Sequence, residues 1–421
     1  MASVVDMLRD DKQDDRNERK DLLQVDDLTA ALSVPSHAFL RAALALKDQI
    51  VEATWKEEPE LRQGVDLTFC TGLLGTAFIC LKSYEATGDR RDLQLCAHIV
   101  DACAGAARTY KREVTFLSGR AGVYALGAVV ADYRDDNERR RLFLDLFVEV
   151  AQEKALPVGP DEGGFGMSYE LLHGRAGFLW AALFINHLLG RDTVPPSLVM
   201  PVVEAVLAGG RVGASDNPIC PLMYRWHGTP YWGAAHGLAG ILHVLLHFPA
   251  LSLDDTEDVK GTLRYMVRNR FPHSGNYPSS EGNRRDKLVQ WSHGATGVAI
   301  ALCKASQVFP NDREFRDSAI EAGEVVWKRG LAKKVGLADG VSGNAFALLS
   351  LYRLTEEEVY RERAEAFAGF LYHNAAKMVE ADDVDGGDCR AYSLFHGLAG
   401  TAALWFDVAS PEKSRFPGFE L

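Results

Sequence analysis

Residues 236–246 read HGLAGILHVLL, a histidine followed by two glycines three positions apart and an apolar run broken only by His243. The same form recurs along the chain as TGLLGTAFICL at Gly72/Gly75, SGRAGVYALGAVV at Gly119/Gly122 and HGRAGFLWAALFI at Gly174/Gly177. It continues as HGATGVAIALC at Gly294/Gly297, DGVSGNAFALLSLY at Gly340/Gly343 and HGLAGTAALWF at Gly397/Gly400. Successive copies lie 46 to 63 residues apart. A fixed unit repeated over the chain is the signature of a repeat architecture, so the repeat has to be read before any local element.

Between the copies lie segments of another kind: 36–55, 91–111, 137–155, 196–208, 255–270, 312–329 and 356–377. Most of them mix charged and apolar residues at three- and four-residue intervals, as surface helices do. The Gly-x-x-Gly segments carry almost no charge, and a helix apolar all round has to be buried. Each unit is therefore expected to be an αα-hairpin. Seven buried helices, each shielded by an amphipathic partner, form an inner ring inside an outer ring. The fold class expected is all-α, an α,α-toroid of seven inner and seven outer helices over residues 35–421. The two glycines at each helix start let chains approach closely. Seven helix N-termini on one rim would turn unpaired N–H groups toward a central cavity, a place suited to anions.

The chain has 421 residues, with 46 Lys and Arg against 58 Asp and Glu, a net charge of −12. An acidic chain without a basic tract is a poor partner for nucleic acid. Residues 6–21 contain twelve charged side chains, and residues 1–34 read as a charged, flexible arm. The start lacks the basic and apolar regions of a signal peptide. Seven scattered cysteines read as buried thiols of a reducing compartment, not a disulfide framework. The uncharged run 233–253 is long enough to span a bilayer. Its three histidines, its Gly-Leu-Ala-Gly start and Pro249 make it a core helix instead. No transmembrane span is expected.

Polar chemistry gathers at the rim. Five histidines (His173, His227, His236, His293, His396) immediately precede a glycine, four of them at the start of a repeat helix. Imidazoles converging on one rim can serve as acid, base or ligand. The stretch YRWHGTPYWGAAHGLAG, residues 224–240, packs Arg225, Trp226, Tyr231 and His236 into a loop leading to a buried helix and reads as a pocket wall. Glu170, four residues before Gly174, offers a carboxylate to the same cavity, and Lys333 and Lys334 offer positive charge.

These motifs, with DKLVQWSHGATG, VGLADGVSGNA, SLFHGLAG and the closing SRFPGFEL, resemble the eukaryotic LanC-like proteins, most closely their plant branch. The resemblance implies the α,α-toroid reached above from the repeat. It also implies thiol addition to dehydroamino acids, with zinc holding the thiol deprotonated and glutathione as the thiol in eukaryotic members. The family's zinc ligands are a Cys in Trp-Cys-x-Gly and a Cys-His pair in Gly-Leu-Cys-His-Gly. Here those positions are Ser292, Ala338 and Asp339. Zinc is therefore not expected, and none of the seven cysteines falls on a ligand position. Carried over by position, His236 is the proton donor to the product enolate and Glu170 its orienting acid. His293 follows the lost ligand and Lys333 falls near glutathione; Arg225 and Tyr231, in the pocket-wall stretch, are read from the residues themselves as lining the ligand.

The expectation is a zinc-less, non-catalytic or weakly catalytic LanC-like toroid that binds a peptide or glutathione-like thiol. The resemblance adds a signalling or scaffold role with a protein partner, and a cytoplasmic location with peripheral membrane association. One alternative is thiol addition through His236. Another, minor one is a carbohydrate-active toroid using Glu170 and Asp339 as paired carboxylates.

Overall fold

Burial divides the helices into two kinds. The computed structural model describes residues 34–55, 65–108, 114–155, 168–217, 219–382 and 389–421. Among them are fourteen α-helices and no strand beyond two isolated bridges. Seven start at the Gly-x-x-Gly pairs: α2 (Leu73–Thr87), α4 (Arg120–Tyr133), α6 (Arg175–Leu189), α8 (Leu238–Leu245), α10 (Ala295–Val308), α12 (Val341–Thr355) and α14 (Leu398–Val408). Seven alternate with them: α1 (Ser36–Thr54), α3 (Arg90–Ala107), α5 (Asn137–Val150), α7 (Pro196–Gly213), α9 (Leu253–Arg268), α11 (Arg313–Arg329) and α13 (Glu358–Asp382). All eight residues of α8 are buried, whereas α5 buries only Phe143, Phe147 and Val150, one stripe of its surface. The first set forms the inner ring and the second the outer.

The inner helices contact one another in chain order, and α14 touches α2, so the ring is closed. Most outer helices pack on the inner helix that precedes them, as α3 does on α2 and α11 on α10. The first outer helix, α1, has no inner helix before it and packs on α14, the last. The two ends of the toroid are thereby joined.

The helix starts show why the repeat is written as it is. Three outer helices, α3, α5 and α9, are capped by side chains: Asp89 accepts from Arg91 N–H, Asp136 from Arg139 N–H, and Ser252 with Asp255 forms a capping box. Inner helices have glycine at the N-cap and no side-chain cap. Instead, the preceding loop folds back and its carbonyls take the first N–H groups. Leu73 donates to Asp66, Arg175 to Ser168, Leu238 to Tyr231, and Val341 to Lys334. In α10 the Asn276 side chain does this, accepting from Ala295 N–H at 2.9 Å. Helix-start N–H groups expected to be free for anions are thus already bonded at these starts. The fold-back also brings a carbonyl against the second glycine of every pair. A Cβ at Gly75, Gly122, Gly177, Gly240, Gly297, Gly343 or Gly400 would collide with the carbonyl oxygen six residues earlier.

The loops ahead of the inner helices are stitched into a belt by main-chain hydrogen bonds. Ala234 N–H donates to Trp291 O (3.3 Å), Ser292 to Ala338 (2.9 Å), Ala338 to Phe395 (2.8 Å) and Phe395 to Cys70 (2.9 Å). Cys70 donates to Leu117 (3.1 Å) and Phe116 to Gly177 (3.1 Å). These six links, the last reaching the first turn of α6, connect the seven helix starts and leave one junction, between the loops before α6 and α8.

The run 233–253 is a loop, the short helix α8, a second loop and the first residue of α9, and no helix among the described residues is long and apolar enough to cross a membrane. Six cysteines are free and buried. The charged arm expected over 1–34 lies, apart from Val34, outside the described residues.

Candidate functional site

The open junction of the belt is closed by side chains. Glu170, 2 % exposed in the loop before α6, accepts a hydrogen bond from His236 Nδ1 across the seam at 3.0 Å. The carboxylate is fixed from its own side too, accepting from Leu172 N–H (2.7 Å), His173 N–H (2.7 Å) and Ser168 Oγ (3.1 Å). With main-chain donors on both oxygens, Glu170 is the acceptor toward His236. The imidazole therefore carries its proton on Nδ1 and leaves Nε2 to exchange one.

Trp226 holds the imidazole flat. Its ring stacks on His236 at 3.8 Å between centroids with 5° between planes. That placement comes from a two-residue reversal: Trp226 and Thr229 exchange both main-chain hydrogen bonds at 3.0 Å, with His227 (φ 47°) and Gly228 (φ 78°) between them. Two positive φ values in a two-residue loop are the mark of a type I′ turn. His227 is thus a turn residue, unlike the four histidines at helix starts. His173 lies beyond, 5.9 Å from the His236 ring.

Tyr231 bridges to the next part of the rim, 6.1 Å from His236 and 5.5 Å from His293. Burial, with the charge of His236 added, lowers His293 to about 4, so it is neutral at pH 7. Its Nδ1 is buried and makes no hydrogen bond among the described residues.

Next comes Ser292, whose hydroxyl donates to the Ala338 carbonyl at 3.0 Å. Asp339 then binds Lys334 Nζ at 3.0 Å and His396 Nδ1 at 3.4 Å. Burial tends to raise this carboxyl, but the hydrogen bonds and charges of His396 and Lys334 outweigh it and hold Asp339 below the usual value.

The structure thus gathers Glu170, His236, Tyr231 and His293 at one arc of the rim. It separates Arg225, which is exposed and donates to the Gly213 carbonyl at the end of α7, 3.0 Å away. Lys333 is exposed on the loop before α12, and its neighbour Lys334 is the one that pairs with Asp339. Sequence reasoning missed the stacking role of Trp226, for which the His-Gly pair at 227–228 was an available turn signal. It also missed the Asp339–His396 contact.

The sequence profile described as "Lanthionine synthetase C-like protein" matches residues 63–421. The chain belongs to this family. It is similar to LanC-like protein GCL1 of Arabidopsis thaliana, 63% identical over 395 residues, which covers 93% of this chain and 90% of that one. It is also similar to Glutathione S-transferase LANCL1 of Danio rerio, 34% identical over 366 residues and 85% of each chain. Among solved structures, Nisin cyclase superimposes with a TM-score of 0.64 at 17% identity, covering 87% of this chain and 93% of that one. The likeness supports the toroidal fold, and the plant LanC-like resemblance read from the motifs agrees with the family match.

Proposed function

We propose that the rim of this LanC-like protein binds a glutathione-like thiol and a dehydroamino-acid peptide, and that His236 moves the proton in their slow, zinc-independent addition. The observation that carries this reading is the Glu170–His236 pair, fixed by main-chain donors behind it and the Trp226 ring over it. In the step, His236 Nε2 takes the proton of the thiol and the sulfur attacks the alkene carbon, forming the C–S bond. The π electrons pass to the neighbouring carbon and its carbonyl as an enolate. The same Nε2 proton returns to that carbon, and nothing else is consumed. Glu170 stabilises the imidazolium between the two transfers. The name of the zebrafish relative supports the thiol class.

The donor set at the family's zinc positions does not fit that metal. The Ser292 hydroxyl is spent on the Ala338 carbonyl, Ala338 has no donor, and Asp339 is held by Lys334 and His396. Zinc sites take three or four Cys, His or carboxylate ligands, and no such cluster of three occurs among the described residues. Without a metal the thiol is only partly ionised at neutral pH, hence the slow rate.

The test is incubation of the purified protein with glutathione and a dehydroalanine peptide, with the adduct followed by mass spectrometry. Wild type is expected to exceed background and to be indifferent to a chelator. His236→Ala should lose about 10²-fold, the scale of one acid–base group. A wild-type rate equal to background, or one abolished by the chelator, overturns the reading.

A further inference from the structure

Two long connections meet beside His236. Residues 214–237 join α7 to α8 and residues 269–294 join α9 to α10, whereas the next connection, from α11 to α12, takes only 330–340. All of them end at inner-helix starts and so lie on the rim face. Tyr231 pairs with Ser280 in an isolated bridge, Trp232 N–H donates to the Ser279 carbonyl (3.0 Å) and Glu281 N–H to that of Pro230 (2.9 Å). The loop from 279 onward is thereby fixed against the hairpin that carries Trp226 and Tyr231.

That loop is positive on a chain whose net charge is −12. Arg284, Arg285 and Lys287 are exposed, and their side chains pair with no carboxylate among the described residues. Asp286 between them is taken by Arg329 (2.8 Å) and Asn276 Nδ2 (2.8 Å), and Arg270 is taken by Glu321. On the first connection Arg225 bonds only the Gly213 carbonyl. Against these four cations stand two carboxylates, Asp216 and Glu281. Asp216 is exposed, while Glu281 is held by Trp232 Nε1 (3.1 Å) and Tyr265 Oη (2.7 Å). The balance is two positive charges at the mouth of the proposed site.

We infer that the loop 279–287 selects peptides with acidic side chains flanking the reacting residue, holding them on Arg284, Arg285 and Lys287. This rests on the rim being a peptide site and names the kind of peptide it takes. The reach fits such a ligand. The Tyr231 ring is 6.1 Å from that of His236, its bridge partner Ser280 stands about 5 Å further on, and Ser280 to Arg284 spans at most about 14 Å. An extended peptide with its reacting residue at His236 covers that path in about eight residues, at roughly 3.3 Å each. Arginine binds carboxylates through paired charge-assisted hydrogen bonds. Local cations also steer an acidic ligand to a protein whose overall charge repels it.

Fluorescence anisotropy of the full chain tests this without any thiol present. The probe is a labelled peptide of about seventeen residues with dehydroalanine at its centre, in forms whose flanks carry Glu or Gln. An exposed ion pair changes affinity by about 1.5- to 5-fold, so wild type should bind the Glu form about tenfold tighter, less so at high salt. Arg284→Gln/Arg285→Gln/Lys287→Gln should abolish that preference. Arg41→Gln/Arg141→Gln/Lys413→Gln, an equal change of charge at exposed positions toward the other end of the toroid, should keep it. Should the first triple variant not fold, its three single variants carry the comparison, each losing about twofold. Equal binding of the two forms, a preference that survives the loop variant, or one lost equally in the control overturns the inference. Phosphatidylserine vesicles bound through the same three residues more tightly than the Glu peptide would make the loop a membrane surface and also overturn it. Glutathione added afterwards separates this inference from the rim chemistry. Adduct without a Glu preference sinks the inference alone, whereas a Glu preference without adduct upholds it and sinks the thiol addition.

Discussion

Removing the Glu170 carboxylate would strand two main-chain N–H groups, those of Leu172 and His173, at a position where the side chain is 2 % exposed. A buried donor left without a partner costs about 1–3 kcal/mol, so Glu170→Ala is expected to lose about 3 kcal/mol in urea unfolding. His236→Ala removes one bond at a partly exposed ring and should cost about 1 kcal/mol. Equal losses would mean that Glu170 serves His236 alone. This difference also explains what could be read at this scale. Glu170 and His236 were legible because each sits at a set distance from a repeat glycine, and the resemblance gave them paired roles. Arg225 sits one residue before Trp226, but the turn that places the Trp226 ring on His236 leaves the guanidinium on Gly213. The Asp339–His396 contact joins residues 57 positions apart. The bond from Ala338 N–H to the Phe395 carbonyl and the close approach of Gly336 to His396 bring their loops together.

At the scale of the helix, the Gly-x-x-Gly pair records a fold-back loop that caps the helix it precedes. The expected segments matched the helices closely: 36–55 is α1 (Ser36–Thr54), and 312–329 is α11 (Arg313–Arg329). Periodicity suffices there because an outer helix such as α5 buries one stripe, whereas the inner helices are buried over most of their length. The capping was not legible. It depends on loop carbonyls, which every residue carries and no side chain advertises. The two roles of glycine can be separated by substitution. Gly343→Ala would drive a methyl into the Leu337 carbonyl, an atom of main chain tied into the start of α12. Overpacking of that kind costs about 2 kcal/mol or more. Gly105, near the end of outer helix α3, has nothing among the described residues within 4 Å of an added Cβ. There Gly105→Ala should stabilise by about 0.5 kcal/mol, by restricting the unfolded chain and favouring helix. Chemical denaturation of both variants measures the contrast. A Gly343→Ala protein as stable as Gly105→Ala would remove the steric explanation of the repeat.

For the molecule as a whole, closing a ring of seven inner helices buries groups that a smaller core would leave wet. His243, His247 and His293 are all held neutral by burial, with His243 at about 3, His293 at about 4 and His247 well below its ordinary value. In the unfolded chain each protonates near pH 6.5. A histidine depressed in the folded state favours folding above pH 6.5, and that contribution is lost as pH falls toward the folded value. From these three groups the unfolded chain therefore holds up to three more protons than the folded one below pH 6.5, and His187, also lowered by burial, adds in the same direction. Stability should fall by about 4 kcal/mol per pH unit at the steepest point, at about 1.4 kcal/mol per proton. Asp339, held low by His396 and Lys334 against the effect of burial, adds to the loss at more acid pH. Glu85 and Glu365, raised by burial, work in the opposite sense and flatten the acid end. Urea unfolding at intervals from pH 7.5 to pH 5 reads the slope directly. His293→Phe keeps the ring contact with Tyr231 and removes one titrating group whose Nδ1 bonds nothing among the described residues. It should flatten the slope by about one third without loss at pH 7.5, because a buried polar atom that bonds nothing can be replaced by an apolar one at little cost. A curve flat between pH 7 and pH 5 in wild type would show that these histidines reach water in the native ring, and that the inner helices are less tightly closed than their packing implies.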